Sequence, residues 1–239
     1  MQDRLQAYCA DRLAHWQDVS VSGLELLGTG WESDIYSFVL EHGPAGERRS
    51  KEQVLRLYSG ADAHAKAARE FHGLDRLRTA GYSVPRVLLV EGENSPFGRP
   101  FVVMDRVRGR SMWPSLFGTS PAEGKRMLAL FCELLVKLHC LDPRVLGRDE
   151  EVEGADNPYA HVDRELGRMR DYLQRFPVPG FKPLAAWLEE RRDAVPCHRS
   201  SPVHLDYHPA NILLKDDGRA DVIDWTQVSV SDPRFDLAW

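Results

Sequence analysis

Short runs of alternating apolar and polar residues fill the first hundred positions of the chain. Residues 35–40 and 53–58 alternate with a period of two, which is typical of strands that are buried on one face. Residues 84–90 and 99–104 add two more apolar runs, separated by a stretch rich in Gly, Asn and Pro. The pattern predicts a small antiparallel sheet in this part of the chain.

Helical periodicity dominates the rest of the chain. It begins early, because residues 61–80 carry apolar side chains at helical spacing and end at Gly81. Residues 120–139 open with a Ser-Pro-Ala-Glu capping box and continue with a wide apolar face. Further helices are predicted for residues 157–176 and after Pro183. The sequence therefore predicts an α+β fold, with a small sheet followed by a mainly helical region.

Composition and charge narrow the classes of function. The chain has 239 residues, of which 43% are hydrophobic and 28% charged, as in an ordinary soluble protein with one or two domains. The net charge of −5, without a basic stripe, argues against nucleic-acid binding. No segment resembles a signal peptide or membrane span, and the four cysteines form no CxxC pair. We expect a cytoplasmic protein without nucleic-acid or membrane partners, of undetermined oligomeric state.

A group of polar residues near the end of the chain has the clearest chemical meaning. Four residues separate Asp206 from Asn211, and Asp224 follows thirteen residues after Asn211. Phosphoryl transfer needs one carboxylate that orients an attacking hydroxyl, and an amide and a second carboxylate that hold Mg²⁺. The spacing predicts Asp206 as the catalytic base and Asn211 and Asp224 as the metal ligands.

A predicted hairpin gives a geometric reason for the two metal ligands to meet. Two short apolar runs flank Asp217-Gly218, which is a preferred two-residue hairpin loop. With this loop Ile212 faces Ile223, and Asn211 falls opposite Asp224. Directly opposed residues are about 4.5–5.5 Å apart at Cβ, close enough to share one hard cation. A surface turn whose acids only contact water is the alternative, and the joint spacing favours a site.

Two glycines suggest a nucleotide-binding loop. Gly28 and Gly30 lie at the bend between two strand-like runs, where backbone N–H groups can approach phosphate oxygens closely. Glycines in a turn often serve only the turn. The prediction therefore depends on the downstream site.

Three segments resemble the catalytic region of the aminoglycoside phosphotransferase and choline kinase group, relatives of the protein kinases. They are His204-x-Asp206-x-His208-Pro209-x-Asn211-Ile212-Leu213, Ile223-Asp224-Trp225 and Asp232-Pro233-x-x-Asp236-Leu237-Ala238. The resemblance implies the same roles for Asp206, Asn211 and Asp224, and makes His204 and Asp236 residues that brace the catalytic loop. Two residues depart from the pattern, because Leu205 stands where many members have Gly, and Thr226 where Gly or Glu is frequent.

The resemblance also implies a protein kinase-like fold with two lobes. Residues 1–106 would form the nucleotide-binding lobe, residues 103–107 the hinge, and residues 107–239 a helical lobe that contains the catalytic loop and the metal-binding hairpin. The chain ends at Trp239 in what resembles the start of another helix, so we expect the helical lobe to be truncated.

Further residues of the nucleotide site follow from the resemblance. Arg56 occupies the position of the kinase lysine that contacts phosphates, and its guanidinium could hold phosphate bidentately. Lys51 is a competing cation in the same strand. Glu70 resembles the acid that pairs with the strand cation, although Lys66 is an alternative local partner.

The hinge is expected to bind the nucleotide base. Met104, Asp105 and Val107 lie in the segment that resembles the kinase hinge, whose backbone hydrogen-bonds adenine. A methionine that ends an apolar strand is also a common core residue.

The predicted activity is transfer of the γ-phosphoryl group of ATP or GTP to a hydroxyl of an aminoglycoside-, macrolide- or amino-alcohol-like small molecule. A nucleotide-binding pseudoenzyme or regulatory module without a complete acceptor site is the first alternative. A zinc hydrolase that uses His204 and His208 is the second, although Pro209 disfavours a helix there.

Overall fold

The computed structural model describes residues 1–117, 120–147 and 157–238. The helices are α1 (Gln2–Arg12), α2 (Ala63–Thr79), α3 (Met112–Phe117), α4 (Pro121–His139), α5 (Ala160–Arg175) and α6 (Lys182–Glu190). The strands are β1 (Ser20–Thr29), β2 (Ser33–His42), β3 (Arg49–Tyr58), β4 (Val87–Glu91), β5 (Phe101–Asp105), β6 (Arg110–Ser111), β7 (Ser201–Val203), β8 (Ile212–Leu214), β9 (Ala220–Val222) and β10 (Ser229–Ser231). An antiparallel sheet and a helical portion confirm the predicted α+β class.

The chain divides into two compact units. One comprises Met1–Cys132 and His208–Val228, and the other Glu133–Tyr207 and Ser229–Trp239. The hairpin predicted to carry the metal ligands thus belongs to the same unit as the large sheet. The division into lobes at residues 103–107 stays a prediction.

The first unit is built on a five-stranded antiparallel sheet with the order β1-β2-β3-β5-β4. Successive side chains of a strand point to opposite faces, so β3 places Leu55 and Leu57 on one face and Arg56 on the other. The first face packs against α1, and the shared core includes Leu5 and Cys9 of that helix. The opposite face is left for α2 and for the polar residues discussed below.

Helix boundaries agree with the local sequence signals. Helix α2 ends just before Gly81, which has a φ of +81° and closes the helix as predicted. Helix α4 begins at Pro121, and the Ser120 hydroxyl accepts a hydrogen bond from the Glu123 N–H at 3.4 Å, which confirms the N-cap half of the predicted capping box. In the second unit, Asn157 accepts a hydrogen bond from the Tyr159 N–H just before α5. No helix within the described residues is long and apolar enough to cross a membrane.

A buried carboxylate ties α1 to the far edge of the sheet. Glu91 is 7% exposed and accepts hydrogen bonds from the Tyr8 hydroxyl at 2.9 Å, from the Arg12 guanidinium at 2.5 Å and from the Asn94 N–H at 3.1 Å. Burial would raise the pKa of Glu91, but these hydrogen bonds outweigh it and lower the pKa. Burial and the bond to Glu91 raise the pKa of Tyr8 to about 12.

Replacing Glu91 by glutamine should destabilise the protein in a pH-dependent way. We expect E91Q to lower the free energy of unfolding by about 1–3 kcal/mol at neutral pH, as for charge-assisted hydrogen bonds. Because the folded state lowers the pKa of Glu91, its contribution is present at neutral pH and is lost as the pH falls through the acid range. Urea titrations of both proteins at several pH values would measure this. The exposed neighbour Glu93 provides the control, since E93Q should change little, and a constant difference between E91Q and wild type down to low pH would contradict the interpretation.

Candidate functional site

A cavity of about 350 Å³ in the first unit gathers most of the residues that the sequence assigns to nucleotide binding. The predicted residues that line it are Gly28, Arg56, Glu70, Met104, Asp105, Val107 and Asp224. They come from the end of β1, from β3, from α2, from the segment at the end of β5 and from the turn after β9. Elements distant in sequence therefore converge on one cavity, as a binding site requires.

Apolar side chains make up much of the remaining wall, and the sequence analysis missed them. They are Leu27, Ile35, Val54, Pro85, Leu213 and Ile223. Mostly apolar walls with a few polar groups are typical of pockets for small organic ligands. The alternation of β3 could have identified Val54, because it shares a face with Arg56. Leu213 and Ile223 had no such signal, since their orientation depends on the register of the hairpin.

The two glycines of the predicted phosphate loop differ in their surroundings. Gly28 lines the cavity, and a Cβ built there would meet no described protein atom within 4 Å. Gly30 does not line the cavity, and its N–H donates to the Ser33 carbonyl at 2.9 Å, which closes the loop between β1 and β2. Phosphate binding by these glycines stays a prediction.

Arg56 is buried in the cavity wall and pairs with two carboxylates. Its Nη1 lies 3.0 Å from Oε1 of Glu70 and 2.9 Å from Oδ1 of Asp224, and its Nε donates to the Ser33 hydroxyl at 2.9 Å. Burial lowers the pKa of Arg56, but the two carboxylates outweigh burial and raise the pKa above its usual range. The predicted pairing of Arg56 with Glu70 is confirmed.

These contacts limit how Arg56 could bind a ligand. Nε and Nη1 both have protein partners, so Nη2 is the guanidinium nitrogen without an acceptor among the described residues. Bidentate binding of a phosphate uses two nitrogens of the guanidinium. It would therefore require Arg56 to give up one of its present contacts.

The competing cations make other contacts. Lys66, the alternative local partner of the α2 carboxylate, pairs with Glu32 at 2.7 Å. Lys51 lies on the opposite face of β3 from the cavity-lining arginine and pairs with Asp105 at 2.6 Å. Among the described residues, neither lysine pairs with Glu70 or with Asp224, the two carboxylates that contact Arg56.

Glu70 holds three parts of the first unit together. It is 1% exposed, and its Oε1 accepts a hydrogen bond from the Trp225 N–H at 2.9 Å as well as from Arg56. Its Oε2 accepts a hydrogen bond from the hydroxyl of Tyr58, which is completely buried. Burial, together with the neighbouring carboxylate, raises the pKa of Tyr58 well above its usual value, so the hydroxyl remains a donor. The carboxylate thereby links β3, α2 and the turn that follows β9.

The hairpin formed by β8 and β9 is one residue out of the predicted register, with Ile212 opposite Val222. Its loop spans residues 216–218, and the last of these, Gly218, has a φ of +81°. The predicted two-residue loop is wrong. Asp-Gly also fits the last two positions of a three-residue loop made of a type I turn and a left-handed residue.

The corrected register changes how the proposed metal ligands are related. Asn211 lies opposite Ile223, whose N–H donates to the Asn211 carbonyl at 2.9 Å. Asp224 is one position farther along, with a left-handed φ of +65°. The predicted direct opposition of Asn211 and Asp224 is therefore wrong, although the two residues remain close in the ladder.

The donor set suits magnesium better than zinc. A carboxylate and an amide oxygen are hard donors, and Mg²⁺ is usually bound by one or two carboxylates together with water and substrate phosphates. Among the described residues, no three His, Cys, Asp or Glu side chains form a metal-binding group. The Nδ1 atoms of His204 and His208 accept hydrogen bonds from backbone N–H groups. These observations disfavour the zinc alternative.

The predicted catalytic base and its supports lie in the second unit. The buried carboxylate of Asp236 accepts hydrogen bonds from the N–H groups of His204 and Leu205, at 3.0 and 2.6 Å respectively, and lies 2.9 Å from Nε2 of His139. The N–H of Asp206 donates to Nδ1 of His204 at 3.2 Å. These contacts suit the bracing roles that the resemblance implies. The role of Asp206 as the base stays a prediction.

One departure from the family pattern has a backbone consequence. Leu205 has a φ of +61°, a left-handed conformation in which the Cβ of an ordinary residue is strained. Glycine would adopt it without that strain. Leu205 keeps this conformation while its N–H is bound by Asp236 at 2.6 Å.

Comparison with known proteins identifies a family whose model covers most of the chain. The model of the phosphotransferase enzyme family (APH) matches residues 23–239. A curated relative, acyl-CoA dehydrogenase family member 11 of Gallus gallus, is 31% identical over 184 residues, which cover 74% of this chain and 23% of that protein. The chain thus spans less than a quarter of the length of this relative.

Solved structures share the fold at low sequence identity. An aminoglycoside phosphotransferase, APH(2″)-IIIa, described as a complex with GDP and kanamycin, has a TM-score of 0.65 and 18% identity, over 97% of this chain and 75% of that one. The choline kinase LicA of Streptococcus pneumoniae has a TM-score of 0.61 and 16% identity, over 100% of this chain and 73% of that one. These similarities confirm the predicted protein kinase-like fold.

Removing the Glu70 carboxylate should lower the stability of the fold far more than removing an exposed carboxylate does. We expect E70A to lower the free energy of unfolding by about 3 kcal/mol, the low end for breaking a buried ion pair, because Arg56 keeps Asp224 as a partner. The matched control is E189A, which breaks an exposed pair with Arg170 and should cost less than about 1 kcal/mol. Urea denaturation would compare the two. Equal losses would show that Glu70 is not the structural link described here.

Because Leu205 has a left-handed backbone, we predict that glycine at this position gives a more stable protein than alanine does, the reverse of the usual order. Alanine normally destabilises less than glycine, but at a left-handed position it retains the strained Cβ. We expect L205G to be more stable than L205A by about 1 kcal/mol, since both lose the same side-chain packing. Chemical denaturation of the two variants measures the difference directly. An L205A protein more stable than L205G would contradict the assigned conformation.

Proposed function

The chain belongs to the phosphotransferase enzyme family, and we propose that it transfers the γ-phosphoryl group of ATP or GTP to a hydroxyl of a small molecule. The observation that carries the proposal is the cavity of the first unit, where seven residues assigned to the nucleotide and metal site meet. The solved structure with GDP and kanamycin supports a nucleotide and a small hydroxyl compound as the two ligands.

The nucleotide would use the apolar and polar parts of this cavity differently. The base would lie between apolar side chains such as Val54 and Ile223, next to the backbone of residues 104–107. The phosphates would be bound by Nη2 of Arg56 and by backbone N–H groups of the loop that begins at Gly28. A buried guanidinium in an apolar wall interacts strongly with phosphate because little water screens it.

The second part of the proposed site is catalytic. Asp224 and Asn211 would hold Mg²⁺, which supplies charge neutralisation at the phosphate oxygens when it is bound. Asp206 would orient the acceptor hydroxyl and accept its proton during transfer. The oxygen of that hydroxyl would bond to the γ-phosphorus while the bond to the β-phosphate oxygen breaks. Positioning and electrostatics supply most of the rate in this class of reaction.

Substituting the proposed base should separate catalysis from binding. We expect D206N to reduce nucleotide consumption by at least about a thousandfold, which includes the loss of general-base catalysis, while calorimetry shows nearly unchanged affinity for the nucleotide. D224A should instead weaken the metal-dependent part of nucleotide binding. Asp216 in the exposed hairpin loop gives the control, because D216N should behave as the wild type. Unchanged turnover by D206N with a confirmed acceptor would eliminate the proposed mechanism.

The acceptor has to be found by experiment, and the proposal covers aminoglycoside-, macrolide- and amino-alcohol-like compounds. A screen of nucleotide consumption against a library of hydroxyl compounds, with D206N as the blank, would identify it. The same screen tests the alternative of a nucleotide-binding regulatory module. That alternative has one observation in its favour, because Arg56 contacts a carboxylate oxygen of the proposed metal ligand Asp224 at 2.9 Å. Nucleotide binding without consumption across the library would favour it.

A further inference from the structure

Among the described residues, Arg56 and Thr226 contact the Asp224 side chain at one of its two carboxylate oxygens, Oδ1. Oδ1 lies 2.9 Å from Nη1 of Arg56 and accepts a hydrogen bond from the Thr226 hydroxyl at 3.3 Å. Oδ2 takes part in no hydrogen bond with any residue in the described part of the chain. The side chain of Asp224 is 35% exposed and lines the cavity. The oxygen available to a ligand is therefore Oδ2.

The backbone around Asp224 is fixed separately from its side chain. Asp224 has a left-handed φ of +65°, and the N–H of the following residue, Trp225, donates to Glu70 at 2.9 Å. The indole of Trp225 is completely buried, and its N–H donates to the Val222 carbonyl at 2.9 Å. With the backbone held in this way, the direction of the carboxylate depends on the groups that contact Oδ1.

Arg56 and Thr226 contact that oxygen as two different kinds of donor. Arg56 is already fixed by Ser33 and Glu70, so it sets where Oδ1 can lie. Thr226 is 5% exposed, and its hydroxyl has a single hydrogen to donate. Buried hydroxyls require a partner, and Asp224 is the acceptor that this hydroxyl contacts. Two donors on one oxygen restrict rotation of the carboxylate more than either does alone.

We propose that Thr226 is a positioning residue for the phosphoryl-transfer site: it anchors Oδ1 of Asp224 together with Arg56, and so directs Oδ2 to the divalent cation. The inference rests on the proposed function, because it assumes that Asp224 is a metal ligand. It gives a physical role to the second departure from the family pattern. A glycine at position 226 could not donate this hydrogen bond.

The test compares a variant that removes the hydroxyl with one that keeps it. T226V preserves the shape of the side chain and loses the donor, whereas T226S keeps the donor and loses a methyl group. Binding of Mn²⁺ in the presence of saturating ADP, followed by electron paramagnetic resonance, provides a readout that is independent of turnover. We expect the Kd for Mn²⁺ to rise about threefold to tenfold in T226V, the effect of losing one ordinary hydrogen bond, because the contact of 3.3 Å is long. T226S should remain within about twofold of the wild type.

Control measurements separate an effect of Thr226 on cation binding from effects on nucleotide binding or packing. Affinity for ADP without metal should be the same in all three proteins, because Thr226 is proposed to act only on the cation. Should T226V fail to fold, T226A serves as the hydroxyl-free variant with the same expected weakening. Wild-type affinity for Mn²⁺ in T226V would overturn the proposal, and so would equal weakening in T226V and T226S, which would assign the effect to packing of the methyl group. Failure of the wild type to bind Mn²⁺ with ADP or GDP would instead refute the proposed metal site itself.

Discussion

The buried ion pair between Arg56 and Glu70 is the interaction on which the candidate site depends. Both side chains are almost entirely removed from water, and an unpaired charge in such a place would be costly. The charge of Glu70 is not unpaired, because its carboxylate accepts hydrogen bonds from Arg56, Tyr58 and the backbone N–H of Trp225. Because these donors come from β3 and from the turn after β9, one carboxylate of α2 joins β3 to a residue that follows Glu70 by 155 positions in the sequence. Loss of the pair would affect the cavity wall and the proposed metal ligand together.

The choice of arginine at position 56 follows from the number of contacts it makes. A guanidinium has five N–H donors in a fixed plane, so it can bind Ser33, Glu70 and Asp224 at once and retain donors on Nη2. An ammonium group carries three donors around one point and cannot span these partners in the same way. Arg56 therefore combines a structural role with the proposed phosphate contact. The substitution of arginine for the lysine of protein kinases is consistent with this division of its nitrogens.

The sequence predicted the structure correctly where a local pattern is compatible with a single conformation. The period of α2 and the glycine after it define that helix, and the alternation of β3 places Arg56 on the face that α2 covers. The prediction failed at the hairpin of β8 and β9, because Asp217-Gly218 is compatible with a two-residue and a three-residue loop, and a change of one residue moves Asn211 from Asp224 to Ile223. Two residues of the apolar wall, Leu213 and Ile223, lie in the same hairpin, and no separate sequence signal identified them.

Two residues with a left-handed backbone lie near the two ends of the segment that we propose to be catalytic, residues 204–225, and the same kind of contact stabilises both. Of the three described non-glycine residues with positive φ, Leu205 and Asp224 belong to this segment. Such strain persists where the surroundings over-determine the conformation. Asp236 accepts the N–H of Leu205, and Glu70 accepts the N–H that follows Asp224. Both acceptors are buried carboxylates, and burial makes each hydrogen bond stronger and its loss more costly. Each strained residue therefore depends on its acidic partner, and a substitution of either one is expected to change the local backbone conformation.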